Sequence, residues 1–368
     1  MLRWLLASLV LLHGLIHLLG PASAFGWGQA KALDGRISRP LGWLWMLNSL
    51  IFVGVAVLLG LNHSAWWVWA LFALLLSQAL VFSAWSLAKA GTWVNALLLL
   101  PVLVAWGQAR WQNQLTDAVT ALNAEPPAAG LRYRPVGELP KAVRLWLRHC
   151  GALNQAPAQR VALRQQGRLR LAWDGGWMPF TAEEHFNAQA PGYAWSAEVS
   201  VLPVLSLYGR DQYRDGQGRV RVQALGWLPL SNAMGASVDQ GSELRYLAEM
   251  AWFPSAALGS NVQWKAGPGA SAEATLRDHG RDVSATFHFG PQGELLSVDA
   301  LRYLDGPEGP ALEPWHVEMD PASQRDFNGL RIPARSQVTW RLKKGDFHWL
   351  ELELTGLSSG PAAPVARP

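Results

Sequence analysis

The chain has 368 residues, half of them hydrophobic and 16% charged, against roughly 25% charged in an average soluble domain. That composition excludes an intrinsically disordered chain, a coiled coil and a nucleic-acid arm. Residues 1–110 carry six Lys or Arg against one acid, Asp34, and the remainder carries 25 against 26. The net +4 is therefore a property of the flanks of apolar segments and not a nucleic-acid footprint. The single cysteine, Cys150, excludes an internal disulfide framework and a cysteine-based zinc site.

Four apolar runs, at about 2–20, 41–61, 66–88 and 92–107, predict an N-terminal bundle of four transmembrane helices over residues 1–110. The fourth is short and carries Pro101, but it follows a Lys89-Ala90-Gly91-Thr92 turn. A helical hairpin satisfies its backbone in lipid. Trp43, Trp66, Trp93 and Trp106 fall at the ends of these runs, as an aromatic belt would. Arg3, the apolar core and Ala22-Ser23-Ala24 imitate a cleavable leader over residues 1–24. Two histidines in that core, and its spanning length, favour a retained helix. Counting loop cations, Lys31, Arg36, Arg39 and Lys89 on one side outweigh Arg3 and Arg110 on the other, which sets the C-terminal part outside the cytoplasm. The basic stretch 131–170, with nine cations against Glu138, supports the opposite placement on an anionic cytoplasmic surface.

His13 and His17, spaced i, i+4, share one helix face, with Gly14 permitting close approach of a neighbour. They suit a metal or haem ligand pair, or a proton relay. The plainer reading is two neutral imidazoles bonded to polar groups on other helices, with Asn48, Gln78 and Asn95 as candidates.

Residues 111–134 read as a linker, rich in Ala, Pro and small residues from Thr116 to Gly130. Leu139–His149 then reads as an amphipathic helix. Beyond it the period becomes two: Val161, Leu163, Leu169 and Leu171 alternate with Arg160, Arg164, Arg168 and Arg170. The pattern recurs at 219–225, 284–289, 315–319, 337–343 and 349–354. Turn signals at Asp174-Gly175-Gly176, Asp215-Gly216, Pro291-Gln292-Gly293 and Lys344-Gly345 separate the runs. Eight to ten antiparallel strands are expected over 135–357, with a flexible tail at 358–368. One helix, Gln240–Leu258, interrupts them, with a broad apolar stripe suited to the concave face of a curved sheet. Arg245 and Glu249 would form a surface ion pair on it. The predicted class is α+β: the transmembrane bundle, then a mostly antiparallel curved sheet or half-barrel packed by one or two helices.

No nucleophile elbow, phosphate loop, dinucleotide fingerprint or His-Glu-x-x-His zinc motif is present. Glu183-Glu184-His185 reads as a solvated strand face, since adjacent residues on a strand point to opposite sides. His316 and Glu318 share the polar face of their strand, whereas His348 falls on an apolar one. Arg210 and Asp211 become an acid–base or head-group site only if buried beside Glu249. The stripe Arg160–Arg170 either meets phospholipid head groups or pairs with acids across a sheet.

Leu139-Pro140-Lys141-Ala142-Val143, Gly176–Ala182, Gly209–Gly216 and above all Glu243-Leu244-Arg245-Tyr246-Leu247-Ala248-Glu249-Met250-Ala251-Trp252-Phe253-Pro254 resemble, in matching order over roughly 135–355, an uncharacterised bacterial family of membrane-anchored domains. The run His13–Gly20 is similar to the multi-helix anchor of some members, and the resemblance carries no catalytic role. Gly329–Pro333 leading into Ser336–Leu342 is similar to the last strands of bacterial lipoprotein-carrier and sorting proteins, which implies a half-barrel over a greasy cavity and lipid or lipoprotein binding.

The resulting expectation is a multi-pass protein of the bacterial inner membrane whose extracytoplasmic domain binds a lipophilic ligand without catalysis. Tyr246, Leu247, Met250, Trp252, Phe253, Arg210 and Glu249 are the candidate ligand-binding residues. Acyl chains would enter between helix and sheet, with Arg side chains at the head group. Membrane lipids are the expected partners, with a lipoprotein or another envelope protein beside them. No nucleic acid and no cofactor is expected. Two alternatives stay open: an enzyme built on Arg210, Asp211 and Glu249, and a metal or haem protein using His13 and His17.

Overall fold

A computed structural model describes residues 2–27, 37–202 and 205–360. They divide into two compact units, one ending at Arg110 and one beginning at Trp111. Of the loop cations counted above, Lys31 and Arg36 lie outside the described residues, as does the expected tail from residue 361.

In the first unit four helical stretches, Leu2–Phe25, Arg39–Gly60, Trp66–Ser83 and Gly91–Ala124, are long and apolar enough to cross a membrane. The first is two helices, α1 (Leu2–Ile16) and α2 (Leu19–Phe25). Pro21 cannot donate to the carbonyl four residues back, at His17, and its ring crowds that carbonyl, so the helix breaks there. Next come α3 (Arg39–Gly60), α4 (Trp66–Ser83), the single turn α5 (Trp85–Ala88) and α6 (Gly91–Ala124). Gly14 lets α1 lie close on α3, for a Cβ there would stand 2.7 Å from the Phe52 Cβ. Phe52, Val55, Leu59, Ala73 and Leu98 fill the interior.

Helix α6 corrects the expected linker over 111–134, because it runs on to Ala124. Trp111, Leu115, Val119 and Leu122 recur at helical spacing and are buried, the last three together with Ala194 of the sheet. The abundance of small residues there reflects a helix lying close on a sheet.

In the second unit α7 (Lys141–His149) precedes the strands. The first six are β1 (Arg160–Leu169), β2 (Met178–Asn187), β3 (Gly192–Leu202), β4 (Leu205–Arg214), β5 (Gln217–Ala224) and β6 (Leu228–Met234). Helix α8 (Ala236–Glu249) follows. Then come β7 (Val262–Ala266), β8 (Ser271–Asp278), β9 (Arg281–Phe289), β10 (Leu295–Gly306), β11 (Gly309–Met319), β12 (Gln324–Phe327), β13 (Leu330–Pro333), β14 (Arg335–Leu342) and β15 (Gly345–Gly360). Thirteen strands form one antiparallel sheet, ordered β6-β5-β4-β3-β2-β1-β15-β14-β11-β10-β9-β8-β7, that curls into a half-barrel; β12 and β13 pair separately. The class is α+β, with more strands than the eight to ten expected. Strands such as β2 and β3 are buried on both faces over much of their length, which erases the alternation that marks a one-sided strand. Residues 358–360, expected in the tail, close β15.

The hairpin turns follow their sequence signals. Asp215 and Gly216 both take positive φ, 51° and 72°, as a two-residue turn matched to strand twist requires. The helix expected over Gln240–Leu258 starts earlier and stops at Glu249. Two 3-10 turns, Met250–Trp252 and Pro254–Leu258, complete the segment, since Pro254 cannot continue an α-helix. Leu244, Leu247, Ala248, Met250 and Phe253 join the strands' inward side chains in one continuous core.

Candidate functional site

Helix α8 does not fill the half-barrel. A cavity of about 370 Å³ remains between its C-terminal end and the sheet. Its walls are apolar: Leu169 and Leu171 from the end of β1, Met178 and Phe180 of β2, Val199 of β3, Leu207 of β4, Val220 and Val222 of β5, Val317 and Met319 of β11, Val338 of β14, and Leu350 and Leu352 of β15. Ala248 and Trp252 close it from the helix side, and Trp195, Trp315 and Trp349 add indoles. On β2 (Met178, Phe180) and on β11 (Trp315, Val317, Met319) the wall residues are two apart, as one face of a strand dictates. The indole nitrogens of Trp252, Trp315 and Trp349, the Ser336 hydroxyl and Glu249 Oε2 are buried without a hydrogen-bond partner, and all five residues line this cavity.

A charged cluster bounds one part of the wall. Arg245 of α8 donates from Nη2 to Glu184 Oε1 at 2.7 Å, from Nη1 to Asp211 Oδ2 at 2.8 Å and from Nε to Glu249 Oε1 at 2.8 Å. Its guanidinium lies 5.0 Å from the ring centroids of both Tyr193 and Trp195. Glu184 and Asp211 have further support. Gln165 Nε2 donates to Glu184 Oε2 at 2.8 Å, Trp195 Nε1 donates to Gln165 Oε1 at 2.9 Å, and the Tyr193 hydroxyl donates to Asp211 Oδ1 at 2.9 Å. Burial pushes the Glu184 carboxyl well above the usual carboxylate range, against the pull of Arg245, and Glu249 moves the same way for the same reason. Burial opposes the Arg245 charge, and the surrounding acids outweigh it and hold its pKa above the ordinary arginine value. Three carboxyls facing one guanidinium favour a proton retained on the Glu184–Glu249 side. The wall therefore holds a buried group able to give or take a proton.

The expected residues divide. Glu249 and Trp252 line the cavity, with Asp211. Tyr246, Leu247, Met250 and Phe253 are buried in the core and are not among the lining residues; Tyr246 and Phe253 pack around Phe186, and the Tyr246 hydroxyl donates to the Asn187 carbonyl at 3.0 Å. Arg210 borders the cavity, but its guanidinium is engaged elsewhere, 4.0 Å from the Trp111 ring and donating to the Trp111 carbonyl at 2.6 Å. Burial draws its pKa down to about 9. Asp211, the next residue on β4, points to the other face and reaches Arg245.

Two readings are corrected. Arg245–Glu249 is not an exposed surface pair but part of a largely buried cluster, its side chains 15% and 12% exposed. Glu184 and His185 are not solvated: Glu184 is fully buried, and burial alone draws the His185 pKa down to about 4. Glu184, Gln165 and Arg302 were missed as site residues. Glu184 had a signal, because it continues the Phe180, Ala182, Phe186 alternation on the apolar face of β2. Gln165 follows a bulge that breaks the β1 alternation, and Arg302 sits on a ribbon with no partner strand outside it.

Elsewhere, His13 Nε2 donates to Asn95 Oδ1 at 2.9 Å, and His17 Nε2 lies 3.0 Å from the Ser77 hydroxyl, which itself donates to Asn95. Asn95 Nδ2 continues the chain to Gln78 Oε1 at 3.0 Å, whereas the Asn48 side chain stays outside it, buried and unbonded. Among the described residues no group of three or more His, Cys, Asp or Glu is placed to hold a metal ion. His316 bonds Asp299 at 2.8 Å, and His348 packs edge-on against Trp177. In the basic stripe, Arg168 forms a two-pronged pair with Glu351 across the sheet.

The second unit is a half-barrel sheet with an internal, mostly apolar cavity, and it follows in sequence a unit of apolar helices. Residues 131–352 match the model of a Family of unknown function (DUF6544), and the chain belongs to that family. No curated protein matches it. Among solved structures it is similar to a LolA superfamily protein from Nitrosomonas europaea (10% identity, 59% of this chain and 92% of that one, TM-score 0.34). A putative outer membrane lipoprotein-sorting protein domain from Vibrio parahaemolyticus (9%, 59% and 91%, 0.31) and a DUF1329 family protein from Desulfovibrio piger (9%, 61% and 93%, 0.32) are similar at the same level.

Proposed function

We propose that this protein is a membrane-anchored binding protein for a lipophilic ligand, with an acyl chain held in the cavity between α8 and the sheet. The carrying observation is the cavity itself. At about 370 Å³ it falls within the roughly 300–1,000 Å³ of small-molecule sites, with apolar walls and few polar groups. A single-domain core normally closes such space, so an open apolar volume in an otherwise continuous core supports occupancy by a hydrocarbon. The partnerless indole nitrogens and Ser336 supply donors for the oxygens of a lipid. On this reading the helices of the first unit span the bacterial inner membrane in several passes, the domain faces away from the cytoplasm, and membrane lipids or a lipoprotein supply the ligand. The test is displacement of a fluorescent fatty acid from the purified protein, compared with Val222→Trp, which fills the cavity from β5. Saturable binding that the variant loses supports the proposal, and no binding by the native chain refutes it.

A second reading has one observation behind it. Arg245 joins Asp211 and Glu249, two of the three residues singled out for an enzyme, to the buried Glu184 beside the same cavity. Acid–base chemistry on a bound lipid is the reaction class such a cluster suits. Under it, Glu249→Gln leaves ligand binding intact and abolishes product formation.

A further inference from the structure

Register fixes which turns share one end of the half-barrel. Leu169 pairs with both Met178 and Leu350, Val199 with both Phe180 and Leu207, Ala224 with both Leu207 and Leu228, and Leu342 with Gly345. The β1–β2, β3–β4, β5–β6 and β14–β15 connections therefore form one rim. The β10–β11 hairpin joins them, because β11 pairs with β14 only from Trp315 and β10 pairs with β9 only as far as Asp299. Residues 301–314 thus pair only with each other and form a two-stranded arm on the same side.

This rim holds most of the domain's large exposed apolar side chains, although Leu230 and Met234 along β6 and Tyr133 are exposed outside it. Leu171 is 72% exposed, Leu202 58% and Leu301 56%, and Leu228 and Leu312 are exposed with them. Scattered single leucines need no explanation, but a set concentrated on the turns of one end marks an interaction site. Its chemistry is that of a bilayer interface. Trp173 and Trp177 stand in the β1–β2 connection, with Lys344 4.8 Å from the Trp173 ring and Arg170 5.0 Å from the Trp177 ring. Around these two turns Arg170, Lys343 and Lys344 outnumber Asp174 and Asp346, while Arg341 is paired with Asp299 and the β10–β11 arm carries the acids Asp305, Glu308 and Glu313. The cavity reaches the same end, since Leu169, Leu171 and Leu350 line it. Within the domain, helix α6 runs from Trp111, bonded to Ser196 midway along β3, to Leu122, against Gly192 at the end opposite the rim.

We propose that this rim docks on an anionic lipid bilayer through its β1–β2, β3–β4, β5–β6 and β14–β15 turns, with Leu171, Leu202 and Leu228 below the head groups, Arg170, Lys343 and Lys344 among the phosphates, and the acidic β10–β11 arm left in water. Docking there lets a chain pass from the bilayer into the cavity without crossing water. The proposal does not require that the cavity hold a ligand, and either claim can fail while the other stands.

The test uses the full chain reconstituted in vesicles of phosphatidylcholine with and without phosphatidylglycerol. Nitroxide labels are placed on Leu171→Cys, Leu202→Cys and Leu228→Cys, with Gln292→Cys, in the exposed turn at the opposite end, as the aqueous control. The native Cys150 is buried, and burial pushes its thiol up to about 11, so it does not compete for label. At the three rim positions collisions with oxygen should exceed those with a water-soluble nickel chelate. The excess should grow with phosphatidylglycerol and fall when Lys343→Glu and Lys344→Glu are added, while Gln292→Cys stays accessible to the chelate. Equal chelate access at all four positions overturns the proposal. So do rim labels shielded from both probes, which would indicate a protein partner or a second copy.

Discussion

Arg245 on helix α8 and Glu184 on strand β2 meet at 2.7 Å in the interior, with the carboxylate fully buried. The pair ties the helix to the sheet where the cavity begins. Its removal from one side leaves an uncompensated buried charge. Arg245→Met should therefore cost about 3–5 kcal/mol, read from the midpoint of urea unfolding. The double variant with Glu184→Gln should recover part of that loss. A cost below about 1 kcal/mol would show that the cluster is hydrated and not buried.

The position of the cavity separates two neighbours on α8. Ala248 lines it, and Leu247 does not. Ala248→Phe should enter free space, with a cost under about 1.5 kcal/mol and weakened ligand binding, whereas Leu247→Ala should cost about 2–5 kcal/mol and leave the cavity's own wall unchanged. Equal costs with unchanged binding in both would mean that the lining is wrongly assigned.

His185 gives the domain an acid sensitivity. Burial lowers its pKa from 6.5 to about 4, so the folded state binds fewer protons than the unfolded state between those values. Stability is then fully present above about pH 6.5 and lost as pH falls toward 4, by at most about 3 kcal/mol at one pKa unit per 1.36 kcal/mol. The raised pKa values of Glu184 and Glu249 act in the opposite sense, so the difference from His185→Gln isolates the histidine. Parallel stability curves for the two proteins from pH 4 to 7 would contradict this account.

The helix segment Trp111–Ala124 belongs to the folded domain although the family match begins at residue 131. Trp111 is buried, donates from Nε1 to the Ser196 hydroxyl at 2.7 Å and carries the Arg210 guanidinium on its ring. A fragment beginning at residue 131 should aggregate or melt well below one beginning at 111, and Trp111→Ala in the longer fragment should cost about 3–5 kcal/mol. Equal melting temperatures would show that the helix is a dispensable cover.

Periodicity carried the architecture further than the site. Apolar runs marked the four helices, and one-sided alternation with Gly-rich turns marked strands such as β1, β9 and β14. Strands β2 and β3 lacked that alternation because α6 covers one face and α8 with the core covers the other, and α6 itself was hidden by small residues that suit a close helix–sheet contact. Asp211 and Glu249 were named from their residue types, but nothing local shows that Arg245 gathers them with Glu184, 61 residues away in sequence. An i, i+4 pair such as Arg245–Glu249 looks the same in sequence whether it lies in solvent or under a sheet. Arg210 illustrates the converse. Its charge suggested a head-group contact, whereas a Trp on the opposite face of the strand already holds it.

Native mass spectrometry of residues 111–360 purified from a bacterial host, with organic extraction of whatever copurifies, tests the binding claim most directly. The account predicts a bound species of fatty-acid or phospholipid mass that Val222→Trp loses while remaining folded. A folded, monodisperse domain at its bare protein mass, which takes up no lipid on incubation with vesicles, would contradict it.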